Sequence, residues 1–334
     1  MIGIGFVLRQ YHQEMSLEPP RKYVTEFAIN MVGLGVVLLT QEYFSSLETL
    51  AVAQRLSENP CHIYIIARRP RVLFDADAFV VDSDSISGRY LLQEGLSLTP
   101  YPFTLSNHLG ESDLRIKCPY PHTAVTIYSA LGERLHHSQA SLFVSKSGPE
   151  DLQSKLALEV VYVGQAFGTD GVRTAPDRLK SHSTLQAIYS EAISRSPDKE
   201  IWLSLWNFES RLFANIDGRS QNYLSTDEAD DEHIYDVLST EIEEQQQINF
   251  TEAALIKYFQ PQYNVRFKIN FPSQLHRSYL QCYDLDIHSL IVEVNTEHFG
   301  ASLWSSTVTP NLHHLITFTF HSSAERRALF DLLV

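Results

Sequence analysis

Cysteine is scarce in this chain. Cys61, Cys118 and Cys282 are the only three in 334 residues, far apart and odd in number, so a disulfide framework is not expected. That points to a soluble protein of a reducing compartment, with the cytoplasm as the expected location. Long apolar runs are also missing. The longest, residues 29–39 (INMVGLGVVLL), is broken by Asn30 and two glycines and falls short of the about 20 residues that cross a bilayer. No basic segment followed by an apolar core and a small-residue cleavage site opens the chain, so no secretory leader is expected. Positive charge is in short supply as well: 26 Lys and Arg stand against 40 Asp and Glu, a net charge of −14. Phosphate binding is driven by Lys and Arg, which argues against a chain that coats nucleic acid by charge alone.

The deficit is local. Asp227, Glu228, Asp230, Asp231, Glu232, Asp236, Glu241, Glu243 and Glu244 are nine acids with no Lys or Arg between them, and without them the balance is −14 + 9 = −5. Such a block reads as a solvated helix face preceded by an acidic loop. The alternative is a segment that mimics DNA or shields a site until a partner arrives.

A hydrophobic share of 44% is ordinary for a globular protein, and the length suggests two or three domains. Residues 1–140 read as a β-rich accessory region. The run Cys61-His62-Ile63-Tyr64-Ile65-Ile66-Ala67 is strand-like, and a helix is expected over 46–58. Strands are expected over 123–129 and 140–145. From 147 the order becomes a short helix to 156, a strand over 158–163, a glycine-rich loop, a helix over 176–194, a strand over 201–208 and a long helical region over 231–259 that Pro261 ends. Residues 141–275 are therefore read as one mixed domain. Residues 276–334 are read as a β-rich extension that packs on the N-terminal region, with strands over 265–270, 289–294, 301–305 and 315–320 and a closing helix over 324–333.

Two fragments carry chemistry. Tyr162-Val163-Gly164-Gln165 ends a strand, where Gly164 permits a tight turn. Arg178 and His182, four apart, share a helix face. Glu252 precedes Leu255, Ile256 and Phe259, which would pack inward and leave the carboxylate near a helix start. Asn264 follows Pro261. A phosphodiester is cut by bringing water in line and neutralising the charge that develops. A carboxylate-bound hard cation, a guanidinium fork and a group that orients or deprotonates water serve that purpose.

In this order and spacing, the fragments resemble the GIY-YIG nucleases. Tyr162-Val163-Gly164 is similar to the second half of that family's signature, Arg178 to His182 to its RLxxH pattern, and Glu252, Pro261 and Asn264 to its Glu helix. The nearest counterpart to the first half, Leu142-Phe143-Val144, has Phe where Tyr is expected. The resemblance implies an α+β fold: a small mixed domain with an antiparallel sheet flanked by helices, set between β-rich N-terminal and C-terminal accessory regions. It implies a Mg²⁺- or Mn²⁺-dependent endonuclease acting on DNA, with restriction or anti-phage defence as the role, and no membrane partner. A homodimer or a partner protein in a multi-component system is the expected assembly. It assigns Glu252 to the metal, Arg178 to phosphate, and Tyr162 and His182 to water activation. Arg173 assists at phosphate, with Gly164 and Asn264 in support. A fold kept without its chemistry, as a scaffold or binding module, is the alternative.

Other patterns are thinner. Cys118 and His122, His136-His137 and His313-His314 lack zinc-like spacing. Gly33-Leu34-Gly35 lacks the third glycine of a dinucleotide loop.

Overall fold

The interrupted apolar run 29–39 forms the middle of β1 (Thr25–Thr40), a strand of 16 residues. A computed structural model of the chain describes residues 22–40, 54, 56–109, 113–167, 175–179, 183–216, 223–273 and 277–320. After β1 come β2 (Ile63–Phe74), β3 (Val80–Val81), β4 (Ser85–Glu94), β5 (Ser97–Ser106), β6 (Arg115–Lys117), β7 (Ala124–Tyr128) and β8 (Arg134–Gln139). Helices α1 (Ala140–Ser147) and α2 (Glu150–Ser154) lead to β9 (Leu158–Gln165), α3 (Ala175–Leu179), α4 (Ser183–Arg195) and β10 (Lys199–Ile216). The chain continues through α5 (Asp227–Ser239), α6 (Glu244–Phe259), α7 (Gln281–Asp284), β11 (Ser289–Asn295), β12 (Leu303–Ser305), β13 (Val308–Asn311) and β14 (His313–Thr319).

One mixed sheet of 11 strands dominates. Its main path runs β13-β12-β9-β2-β10-β1-β11-β14, while β6, β7 and β8 form a separate three-stranded sheet. Two pairings are parallel, β1 with β11 and β12 with β9. β2 shows why the central strands read as unbroken apolar runs. Ile63, Ile65 and Ala67 enter one core, where Phe250, Ala254 and Phe259 of α6 cover the sheet. Tyr64 and Ile66 enter the other, covered by Ala175 and Leu179 of α3 and Leu185 and Ile188 of α4. A strand buried on both faces has no polar side to alternate with.

Beyond residue 70, β2 leaves this sandwich. Residues 71–74 pair with β4 rather than β9, and the 75–157 segment follows as an insertion with its own core of Val72, Phe74, Tyr90, Leu92, Phe103 and Val144.

The small antiparallel domain expected from the resemblance is therefore not what the chain forms. Strands from residues 25–40, 63–74, 158–165, 199–216 and 289–319 join in one large sheet. The reason lies in strand length: β1 and β10 run 16 and 18 residues and pair with each other along most of that length, which commits residues 25–40 and 199–216 to the same layer.

Local departures have equally plain causes. Residues 140–147 are helical, not extended, because Ala140 and Val144 lie one turn apart and bury together beside Leu152. The helical region expected over 231–259 is two helices: α5 ends at the extended residue Thr240, and α6 starts after Glu243. Residues 265–270 form turns rather than a strand. The helix expected over 324–333 lies outside the described residues, as does that over 46–58 apart from positions 54 and 56–58.

The acidic block is partly structural. Thr226 caps α5 by accepting from the Ala229 N–H at 3.3 Å, with Asp227 and Glu228 in the first turn. Asp230 turns inward and accepts from the backbone N–H groups of Val24 and Thr25 at 2.8 and 3.2 Å.

Candidate functional site

The site starts from a register. β2 and β9 pair antiparallel with Tyr64 opposite Gly164 and Ile66 opposite Tyr162, after which the register shifts so that Ala67 faces Val160. Val161 is the extra residue of a β-bulge. Val161 and Tyr162 consequently lie on the α3–α4 face, while Val160 and Val163 turn to the α6 face. A bulge re-aims side chains in this way, and here it directs Tyr162 towards Tyr64. The two rings lie 6.1 Å apart between centroids.

Gly164 makes room for that pair. A Cβ at this position would sit 2.5 Å from Cζ of Tyr64 and 2.7 Å from Cε1 of Tyr162. Tyr64 is 1% exposed. The sequence reading missed it: its nearest substitute, Leu142-Phe143-Val144, lies in α1, far from strand geometry. The available signal was His62-Ile63-Tyr64 itself, at the start of a strand-like run and 162 − 64 = 98 residues before Tyr162.

Arg178 reaches the phenols from α3. The Ala175 N–H donates to the Cys61 carbonyl at 2.8 Å, fixing this short helix against the start of β2, and Ala175 and Leu179 bury beside Tyr64. The Arg178 guanidinium is in position to donate to the Tyr64 hydroxyl, and the Tyr64 and Tyr162 hydroxyls pair with each other. Burial is the main cause that holds the Tyr64 phenol far above its ordinary value; the charges of Tyr162 and Glu252 add to it and Arg178 opposes it. Burial also raises Tyr162, helped by Glu252 and opposed by the Tyr64 hydrogen bond and Arg178. Both phenols are therefore neutral at physiological pH.

Glu252 belongs to α6 but does not open it. The helix begins at Glu244, so the carboxylate sits beyond its middle and owes nothing to a helix N-terminus. It is partly buried, and its Oε2 accepts from the Gln165 side-chain amide at 2.7 Å. Gln165 also donates to Asn249 at 2.9 Å, and Asn249 donates to the Ser278 carbonyl at 2.9 Å. Burial pushes the Glu252 carboxyl up to about 7, against the opposing pull of the Gln165 hydrogen bonds and the Arg266 charge.

Asn264 secures the far side of β9. Beyond residue 159, that strand has no ladder partner in β12, and the turn after α6 takes its place. Asn264 Oδ1 accepts from the Val163 N–H at 2.9 Å, and its Nδ2 donates to the Val163 carbonyl at 2.8 Å. The Tyr263 N–H donates to the Val161 carbonyl at 3.0 Å, which satisfies the bulged residue. The turn is set by Gln260, left-handed at φ 48. Tyr263 then reaches Glu191 of α4 at 2.6 Å.

Tyr64 and Tyr162 thus lie on the α3–α4 face of the sheet with Arg178 of α3 beside them, while Glu252 comes from α6 on the opposite face and meets the end of β9 through Gln165. Arg173 and His182 lie outside the described residues. Among the described residues, no three His, Cys, Asp or Glu side chains gather as a metal cluster. A cation at Glu252 would therefore draw its remaining ligands from water or substrate, which suits Mg²⁺. Burial leaves the Glu252 carboxyl, pushed up to about 7, short of compensating positive charge. No protein family, curated protein or solved structure matches this chain. No helix among the described residues is long and apolar enough to cross a membrane.

Proposed function

We propose that the chain is a metal-dependent endonuclease that hydrolyses DNA phosphodiester bonds. The observation that carries this reading is the grouping of Tyr64 and Tyr162, 6.1 Å apart between ring centroids, beside Arg178 of α3, with the partly buried carboxylate Glu252 held by Gln165 at the end of the same strand. The likeness to GIY-YIG nucleases is one of site residues, set on a far larger sheet.

Arg178 brings a planar fork of five donors. One is given to Tyr64, and others face the non-bridging oxygens of a phosphate. The phenols, held neutral, orient rather than abstract, and their pairing holds the two hydroxyls together. Glu252 supplies the negative charge that holds Mg²⁺ or Mn²⁺, and Gln165 fixes the carboxylate's orientation. The bound cation would act as the Lewis acid that neutralises charge developing on the phosphate. The three cysteines form no disulfide, which suits a reducing, cytoplasmic setting. A net charge of −14 suits a protein brought to DNA by a partner or a second copy.

Plasmid incubated with the protein and Mg²⁺ tests the reading. Cutting that is lost in Glu252→Gln, with the fold retained, supports it; equal cutting by both proteins contradicts it. A second reading, a module that keeps this arrangement and binds without cutting, is favoured by the deep burial of Tyr64. Metal-stabilised wild-type protein that never cuts would select it.

A further inference from the structure

The insertion between β2 and β9 holds a cavity of about 730 Å³ that the proposed chemistry does not use. Its wall is aromatic: Phe74, Phe79, Phe103 and Phe143 line it. These rings brace one another, with centroids 6.4 Å apart for Phe74 and Phe103, 6.2 Å for Phe79 and Phe103, and 6.5 Å for Phe103 and Phe143. Polar groups line it too: Thr104, Ser106 and His108 along β5 and just past its end, and His136 and Ser138 on β8. None of its lining residues is Lys, Arg, Asp or Glu.

We propose that this cavity receives a planar heteroaromatic ring, the base of a nucleotide. The volume falls within the range of about 300–1,000 Å³ typical of ligand pockets. Phe79 and Phe143, the partly exposed rings of the wall, offer faces for stacking over the buried Phe74 and Phe103, which is how unpaired bases are held. Hydroxyl and imidazole groups both donate and accept, matching the mixed donors and acceptors on a base edge. The uncharged lining disfavours a phosphate, a carboxylate or an ammonium group inside, and an acyl chain would leave the polar groups unused.

Position favours a base carried on a strand. β2 holds Tyr64 near one end and Phe74 at the other, ten residues apart. At roughly 3.3 Å per residue that is about 33 Å, on the order of ten steps of duplex. One rigid strand would thus fix the distance between the base read and the bond cut. This part rests on the nuclease reading; the ring specificity does not.

The test uses the full chain carrying Glu252→Gln. It is titrated in one arm with a duplex containing a single unpaired 2-aminopurine and in the other with free 2-aminopurine riboside. A saturating fluorescence change is expected in the duplex arm. Binding should weaken at least about tenfold on adding Ser106→Trp or Ser138→Trp, which fill the cavity, or Phe79→Ala, which removes a wall; circular dichroism confirms that each variant folds. Binding in the riboside arm alone, with the same losses, supports the ring site and assigns it to a free nucleoside. Absence of binding in both arms, or binding unchanged in all three folded variants, overturns the proposal. Metal-dependent cutting by wild-type protein is scored separately. Cutting without pocket binding sinks this inference alone, and pocket binding without cutting sinks the nuclease reading alone.

Discussion

Tyr64 and Gly164 stand directly opposite each other on β2 and β9, and the phenol ring fills the space a side chain at 164 would need. Gly164→Ala should therefore cost about 1–3 kcal/mol by overpacking and push Tyr64 away from Tyr162. Chemical denaturation of Gly164→Ala, Tyr64→Ala and the double variant measures it. The double variant should lose less than the sum of the two singles; strict additivity would mean that the ring and the glycine are not coupled.

Asn264 replaces a missing strand partner with two hydrogen bonds to Val163. Asn264→Ala leaves a buried N–H and C=O unpaired, for an expected loss of about 2–4 kcal/mol. Asn264→Asp keeps one acceptor and should lose less. Equal Tm values for wild type and Asn264→Ala would refute the clamp.

Much of this was legible from residue order, and the failures are informative. The 61–67 run reads as a strand because β-branched and aromatic residues recur in it, and residues 63–67 open β2. Its partnership with Tyr162 left no local trace, because pairing across 98 residues is decided by register and by the core on each face, not by neighbours in the chain. Glu252 reads as near a helix start because Leu255, Ile256 and Phe259 follow it at helical spacing, yet α6 begins eight residues earlier, at Glu244. Asp230 reads as one more solvated acid. Nothing in its neighbours distinguishes it from Asp231 until the start of β1 presents the backbone N–H groups of Val24 and Thr25 to it.

The Glu252 carboxyl titrates near about 4.3 in an unfolded chain and at about 7 in the folded one. Between those values the folded state keeps a proton that the unfolded state has lost. The stability this group contributes is thus complete below the lower value and declines as pH rises through 7. In EDTA, Glu252→Gln should match wild type near pH 5 and exceed it at pH 8.5 by about 2 kcal/mol. Mg²⁺ should close the gap by stabilising wild type alone. A pH-independent difference would show that the carboxylate is not desolvated.

Asp230 and Asp231 are neighbours with opposite duties. Asp230→Ala removes the acceptor for Val24 and Thr25 and should cost about 2–3 kcal/mol. Asp231 is exposed, and its replacement by Ala should change stability by less than about 0.5 kcal/mol. Comparable losses from both would return the whole block to a generic charged surface.

The most direct measurement is the initial rate of Mg²⁺-dependent DNA cleavage by Tyr64→Phe. That change removes one oxygen while leaving the ring over Gly164. A fall of about 100-fold in a variant that stays folded is predicted, since Arg178 and Tyr162 lose the group that links them. An unchanged rate, or a wild-type protein that cuts nothing in the presence of metal, would contradict the account.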